Sequence, residues 1–233
     1  MTVLLAHSPL LAAGATWGGL PALLGEPVLV PDVRTDEIQP YAASYVAALL
    51  GQVRPRWPVR SAVTVVAHSG AGPLLGALLA ALRSAGTPVA EAIFLDAGLP
   101  TACLPGLPAQ ASRFDLLDAE NPAAGDSLRA QLSRGGRFPN WTAEQLGTLV
   151  PEPAAVLAGM RPRGADFFAE PLPTGMLPDR LRCGYIQLSE TYQPYADRAA
   201  DLGWPVLRAP LHHFAPLTDP DAVAGLIRQV RHR

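Results

Sequence analysis

One ten-residue stretch constrains this chain more than any other: Val63-Thr64-Val65-Val66-Ala67-His68-Ser69-Gly70-Ala71-Gly72. Its β-branched, apolar first half predicts a strand. The run stops at a serine framed by small residues, and an apolar segment of helical character starts at once. A strand that becomes a helix over so few residues must bend sharply, which lifts the residue at the bend above the sheet edge. Crowding at the bend leaves room only for small side chains two positions before and two after the serine. Ala67 and Ala71 meet that requirement. The usual pattern at such an elbow is G-x-S-x-G, and alanine replaces both outer glycines here. Ser69 is the candidate nucleophile. A second serine, in Ala6-His7-Ser8-Pro9-Leu10, also follows a strand-like run. An elbow needs a free N–H and then a small side chain after the serine, and Pro9 and Leu10 supply neither.

Short β-rich runs alternate with helical patterns along the rest of the chain. Strands are predicted at 2–6, 27–30, 62–67, 92–96, 184–188 and 206–209, and helices at 17–24, 38–53, 70–85, 194–202 and 220–230. The first strands are apolar at consecutive positions, as strands covered on both faces must be. The alternation therefore predicts an α/β fold, a mostly parallel sheet of about six strands flanked by helices. Open sheets of this kind bind ligands at the carboxyl ends of their strands, and Ser69 falls at one of them. The segment 104–181 breaks the rhythm. It is rich in proline and glycine, has no convincing strand, and carries Phe114, Phe138, Trp141, Phe167 and Phe168. It reads as a cap of short helices and loops inserted within a single domain spanning 1–233, with an inert packing layer as the alternative.

Composition removes several classes of function. At 233 residues, 49% hydrophobic and 16% charged, the chain is a folded domain with a substantial core. A net charge of −2 gives no electrostatic reason to bind nucleic acid or an anionic membrane. All 18 basic residues are arginine, so Schiff-base chemistry, a lysine-anchored pyridoxal phosphate and a P-loop lysine are excluded. Cys103 and Cys183 lie far apart without metal-ligand spacing and read as buried thiols, with a disulfide as the alternative. No cluster has metal-ligand spacing and no G-x-G-x-x-G opens the first helix, so neither a metal nor another cofactor is expected. The apolar segment 1–24 lacks the basic start of a signal peptide, and His7, Pro9 and Trp17 interrupt it, so it is assigned to the fold. No run approaches the about 18 apolar residues of a membrane span. A cytoplasmic protein with a small-molecule substrate is the resulting expectation, and a homodimer is compatible with it.

A serine hydroxyl needs a base within hydrogen-bond reach. His7 and His68 sit beside strands, and His232 belongs to a polar tail. His212 and His213 remain, in the loop between the last strand and the last helix. The stretch His213-Phe214-Ala215-Pro216-Leu217-Thr218-Asp219-Pro220 resembles the H-x-A-x-L-x-[DE]-P segment of α/β-hydrolases. The similarity is greatest to compact bacterial members related to plant methyl esterases and hydroxynitrile lyases. It extends over most of the chain in element order and is specific at the elbow and at this loop. The two antiparallel strands that open many family members have no counterpart before residues 2–6. The resemblance implies that His213 is the base.

The resemblance also implies an acid at a strand end. The commonest family position falls on Thr191, with Glu190 one place early. A second position, used by some haloalkane dehalogenases and by pancreatic-type lipases, falls on Asp96 in Ile93-Phe94-Leu95-Asp96-Ala97-Gly98. Asp96 is favoured and Glu190 stays open; an aspartate at that point also suits a turn cap. The oxyanion hole is expected to use the Gly70 N–H and a donor from the loop after the first strand. The family places a donor residue after His-Gly, where this chain has His7-Ser8-Pro9, and proline has no N–H. Either the Leu10 N–H or the Ser8 hydroxyl takes its place, or the chemistry is not ester hydrolysis.

The leading expectation is a serine hydrolase for a small, mostly apolar ester or thioester. The alternatives are a lyase, cyclase or other biosynthetic catalyst using the same site, and a receptor that keeps the fold without the chemistry. Arg113, Arg137, Arg161 and Arg163 are candidates to receive a substrate carboxylate, with a solvent-facing role as the plainer reading of each.

Overall fold

Apolar residues at consecutive strand positions are divided between two cores, one on each face of a single sheet. The structure, a computed structural model, describes residues 1–34, 38–57 and 61–232. Strands β1 (Thr2–Ala6), β2 (Val28–Leu29), β3 (Val63–Ser69), β4 (Val89–Ala97), β5 (Arg182–Gln187) and β6 (Val206–Arg208) form one sheet in the order β2-β1-β3-β4-β5-β6. Every neighbouring pair is parallel. Leu4, Val65, Phe94 and Tyr185 face one core, while Val3, Leu5, Val66, Ile93 and Ile186 face the other. The period of two that separates them is the pleat itself.

Twelve helices surround the sheet among the described residues. Before β2 lie α1 (Ala13–Trp17) and α2 (Leu20–Leu23), and α3 (Tyr41–Val53) precedes β3. Next come α4 (Leu75–Ser84), then α5 (Arg113–Glu120), α6 (Pro122–Ser133), α7 (Ala143–Gly147), α8 (Pro153–Gly159) and α9 (Ala165–Ala169), all five of the latter between β4 and β5. The chain ends with α10 (Gln193–Asp201), α11 (Ala215–Thr218) and α12 (Pro220–Arg231). Tyr45 and Leu49 of α3, Leu75 and Leu78 of α4, and Tyr195 and Ala199 of α10 fill the first core; Trp17, Leu20, Val223 and Ile227 fill the second.

Element order follows the sequence expectation, and the departures have local causes. The helix expected over 17–24 is two short ones, because Gly18 turns into the left-handed region at φ 46° and breaks the path. The helix expected from residue 70 opens with a 3₁₀ turn, Gly72–Leu74, and becomes α-helical only at Leu75. Strand β4 is longer than 92–96, and the edge strand β2 is shorter than 27–30 because it pairs on one side only. Helix α11 has too few residues to leave a periodic signature.

The cap is fastened to the body by charged groups. Pro40 precedes α3 and offers no side-chain cap, so the first N–H groups of that helix need outside acceptors. Glu170 supplies them, accepting from Tyr41 N at 2.5 Å and Ala42 N at 2.8 Å. The Tyr41 hydroxyl donates to Asp166. Arg161 reaches Asp32 at 2.6 Å from another part of the cap. Both cysteines are free thiols. Among the described residues no helix is long and apolar enough to cross a membrane.

Gly72 marks where the elbow is tightest. A β-carbon on it would lie 1.9 Å from the Gly98 carbonyl oxygen, a backbone atom that cannot swing aside. Gly72→Ala is therefore expected to destabilise the fold by about 3 kcal/mol, the upper part of the usual overpacking cost. Urea unfolding measures this, and a change below about 1 kcal/mol would contradict the packing described.

Candidate active site

The order β2-β1-β3 reverses the direction in which the chain adds strands, so β1 and β3 flank a topological switch point. Ala6 pairs with Ala67, which sets the loop after β1 beside the turn after β3. Ser69 pairs with Ala97, next to Asp96, across a register shift in the β3–β4 ladder. Three strand ends thus bring residues 7–10, 69–70 and 96–97 to one rim of the sheet.

Ser69 has φ 57° and Asp96 φ 43°; among the described residues these are the two non-glycine positions with positive φ. The left-handed region is uncommon outside glycine and costs of order 1 kcal/mol or more for a residue such as serine. The neighbouring side chains explain how Ser69 holds it. Ala67 and Ala71 are buried, and a β-carbon on Gly70 would sit 3.0 Å from Ser8 Oγ.

Asp96 is fully buried and its carboxylate is saturated with donors. Oδ1 accepts from Leu188 N at 2.8 Å and Ser189 N at 3.0 Å. Oδ2 accepts from the Ser189 hydroxyl at 2.7 Å and from His213 Nδ1 at 2.7 Å. Burial alone pushes this carboxyl's pKa up; the hydrogen bond from His213, its charge when protonated, and the Leu188 and Ser189 donors outweigh that and hold it below the ordinary range. An ionised carboxylate can only accept, so Nδ1 of His213 carries a proton and Nε2 is the basic nitrogen in the neutral ring. Glu190, the other carboxylate considered for this place, opens a 3₁₀ turn, is exposed, and lies on a separate groove shared with Gln193, Asp197 and Arg208. The end of β4 points into the sheet rim, whereas Glu190 lies past the end of β5 with its side chain turned outward.

The His213 ring is sandwiched. On one side lies His68 (centroids 4.5 Å, 28° between planes) and on the other Tyr192 (5.0 Å, 5°). His68 Nε2 also donates to the His213 carbonyl at 3.1 Å, fixing the backbone of the loop. Burial pushes the pKa of His68 down to about 3, with the neighbouring His213 adding in the same direction, so the ring stays neutral. His212 faces the other way: its Nδ1 accepts from Phe214 N and its Nε2 meets the Thr218 hydroxyl. His7 donates from Nδ1 to the Ser8 carbonyl at 2.7 Å and accepts at Nε2 from Val33 N at 3.1 Å. Both of its ring nitrogens are used in the neutral form, and burial carries its pKa down to about 4.

Ser69 and His213 open into the same cavity, of about 480 Å³, beneath the cap. The hydrogen bond described for Ser69 Oγ runs to the Tyr192 hydroxyl at 3.2 Å, not to His213. Tyr192 is half-buried, and the desolvation of its hydroxyl raises its pKa well above the tyrosine range, so it remains a neutral hydroxyl. Neither Tyr192 nor His68 was legible as a neighbour of the imidazole, because ring stacking between remote segments leaves no spacing in the sequence. Gly70 and Leu10 also line the cavity, but the Leu10 N–H already donates to Ser8 Oγ at 3.2 Å.

Of the aromatic cap residues, Phe138, Trp141 and Phe168 face the cavity, while Phe167 is buried against Tyr41. The four arginines divide. Arg137 is exposed, as its plainer reading expects, and donates to the Pro162 carbonyl; Arg161 pairs with Asp32, and Arg163 is buried. Arg113 alone of the four lines the cavity, donating to the Phe167 carbonyl at 2.9 Å with its guanidinium 3.8 Å from the Phe167 ring centroid.

No protein-family model and no curated protein sequence matches this chain. Solved structures do match it. A pyrethroid hydrolase from Sphingobium faniae JZ-2 is similar with a TM-score of 0.67 over 98% of this chain and 96% of its own, at 15% identity. Polyneuridine aldehyde esterase gives a TM-score of 0.66 over 99% and 98%, at 17% identity. A methylesterase from Arabidopsis gives 0.58 over 100% of both chains, at 15% identity. The chain has the α/β-hydrolase fold that these proteins share, in agreement with the resemblance in its histidine loop.

The site makes the fold sensitive to acid. His7 and His68 have pKa values of about 4 and about 3 against an ordinary 6.5, so between pH 4.5 and 6.5 the unfolded chain binds up to two more protons than the folded one at these rings. Glu120, raised by burial from 4.5 to about 7, offsets one of them. The balance is about one proton near pH 5.5 and falls toward zero by pH 6.5, so stability should fall by about 1 kcal/mol per pH unit as pH drops through the lower half of this window. Urea unfolding at successive pH values measures the slope, and a flat or rising profile toward acid would contradict it.

Proposed function

We propose that this protein is a serine hydrolase acting on a small, mostly apolar carboxylic ester or thioester. One observation carries the reading: a buried, ionised Asp96 holds the Nδ1 proton of His213, while Ser69 stands on a left-handed turn opening into the same cavity. In this reading Ser69 Oγ attacks the carbonyl carbon. His213 Nε2 takes the serine proton and later gives it to the leaving oxygen or sulfur. Asp96 keeps the imidazole in the required tautomer and stabilises the imidazolium. In the resting state Ser69 is hydrogen-bonded to Tyr192, so its hydroxyl turns to His213 when substrate enters; catalytic hydrogen bonds often tighten only in the complex.

The oxyanion hole combines the Gly70 N–H with the Ser8 hydroxyl. Leu10 N donates into the Ser8 oxygen, which leaves the Ser8 proton free to point at the site, beside Gly70. This answers the missing N–H of Pro9. Leu10 then acts on Ser8 and not directly on the substrate. The apolar walls supplied by Leu11, Leu117, Phe138, Trp141, Phe168 and Phe214 favour an acyl or aromatic substrate.

A second reading has its own support. The Tyr192 hydroxyl on Ser69 and the proline in the oxyanion loop also suit a lyase or cyclase that uses His213 only to move protons. A panel of short-chain aryl esters separates the two. The hydrolase reading expects turnover, labelling of Ser69 by a fluorophosphonate probe, and loss of both in Ser69→Ala, with kcat down by about 10⁶-fold. Asp96→Asn should lower kcat by about 10⁴-fold and Ser8→Ala by about 10²- to 10³-fold. A wild-type protein that neither labels nor turns over any ester would overturn it.

A further inference from the structure

The cavity contains one acidic group that the proposed triad does not use. Glu120, the last residue of α5, lines it together with Tyr192 and Tyr195. Leu116 and Leu117, one turn earlier on the same helix, line it too, and Leu128, Phe138 and Phe168 complete the surrounding apolar wall. A carboxyl group in such a wall is costly unless it is paired. Among the described residues Glu120 has no cationic partner; Oε2 accepts from the Tyr195 hydroxyl at 3.3 Å, a long bond for two oxygens, and Oε1 has no described donor. Arg113, seven residues earlier on α5, is committed to the Phe167 carbonyl and ring instead. Burial raises the pKa of Glu120 to about 7, with the nearby Asp96 charge adding to it, as fits a carboxyl held without a counter-ion.

Tyr192 links this group to the reacting centre: its hydroxyl meets Ser69 at 3.2 Å, and its ring lies 6.0 Å from that of Tyr195, centroid to centroid. A purely structural position here is filled as well by an alkyl side chain, since Tyr195 reaches Glu120 only weakly. We propose that Glu120 is a substrate-recognition subsite that accepts a hydrogen bond from a hydroxyl or amino group on the substrate, remote from the reacting carbonyl. The preferred substrates are then ω-hydroxy or ω-amino esters with an apolar spacer, not simple alkyl esters. This rests on the hydrolase reading for the identity of the reacting carbonyl, but the binding claim stands apart from turnover. With Glu120 ionised, at a pH a unit or more above 7, a hydrogen bond to this charged acceptor corresponds to about 10- to 100-fold in affinity.

The test uses matched methyl esters of increasing chain length, each ending in methyl, hydroxyl or amine. Calorimetric binding to Ser69→Ala, which cannot turn them over, is expected to favour a donor-ended ester over its methyl-ended match by about 10- to 100-fold at one chain length. The double variant Ser69→Ala/Glu120→Leu should lose that preference. Glu120→Gln, which keeps the side-chain volume, should reduce it for the amine more than for the hydroxyl and guards against misfolding of the leucine variant. Equal binding of all three esters, or a preference that survives in both Glu120 variants, would overturn the subsite. Turnover by the wild-type protein is scored separately: a binding preference without hydrolysis removes the hydrolase reading and leaves the subsite, and hydrolysis without preference does the reverse.

Discussion

The working rim of this molecule is organised by the buried carboxylate of Asp96. It gathers two backbone N–H groups, one hydroxyl and one imidazole from the segments after β5 and β6, so two loops remote in sequence share one acceptor. Removing water from such a charge costs several kcal/mol unless every lone pair is used. Here every described donor converges on it. The same bonds that make its burial tolerable fix the ring of His213, so stability and the proposed chemistry rest on one set of contacts.

Backbone strain is concentrated at the same place. Ser69 and Asp96 end neighbouring strands, and both take left-handed φ values that non-glycine residues seldom adopt. The surroundings of Ser69 are close-packed: Ala67 and Ala71 are buried, Ser8 and Pro9 close in on Gly70, and Gly98 closes in on Gly72. The stacked rings of His68 and Tyr192 then hold the imidazole between them without any hydrogen bond to its ring. A rigid floor results, over which the cap supplies a mostly apolar roof.

On the proposed function, that division of labour separates chemistry from selectivity. The floor is built from strand ends whose positions follow from the ladder register. The roof comes from α5, α6, α9 and the loop bearing Phe138 and Trp141, tied down by Glu170, Asp166 and Arg161 at its margins. In the same reading, changes in cap residues alter which molecules fit while leaving the strand ends in place, and Arg113 and Glu120 are the charged groups that α5 adds to that roof.

By itself the sequence determined the sheet, its parallel sense and the elbow at Ser69, because apolar pairs on consecutive positions and small residues around a serine are local signals. The motif around His213 was readable too, through its resemblance to a known loop. It left Asp96 and Glu190 unresolved, since one lies at the end of β4 and the other follows β5, and only the folded course of the loop after β6 decides which carboxylate meets the imidazole. Tyr192, His68 as a stacking partner, Ser8 beside Gly70, and Glu120 were decided by the tertiary structure alone. Each acts through contact with a segment tens of residues away, and a stacking face or a shared cavity wall imposes no spacing that a linear chain displays.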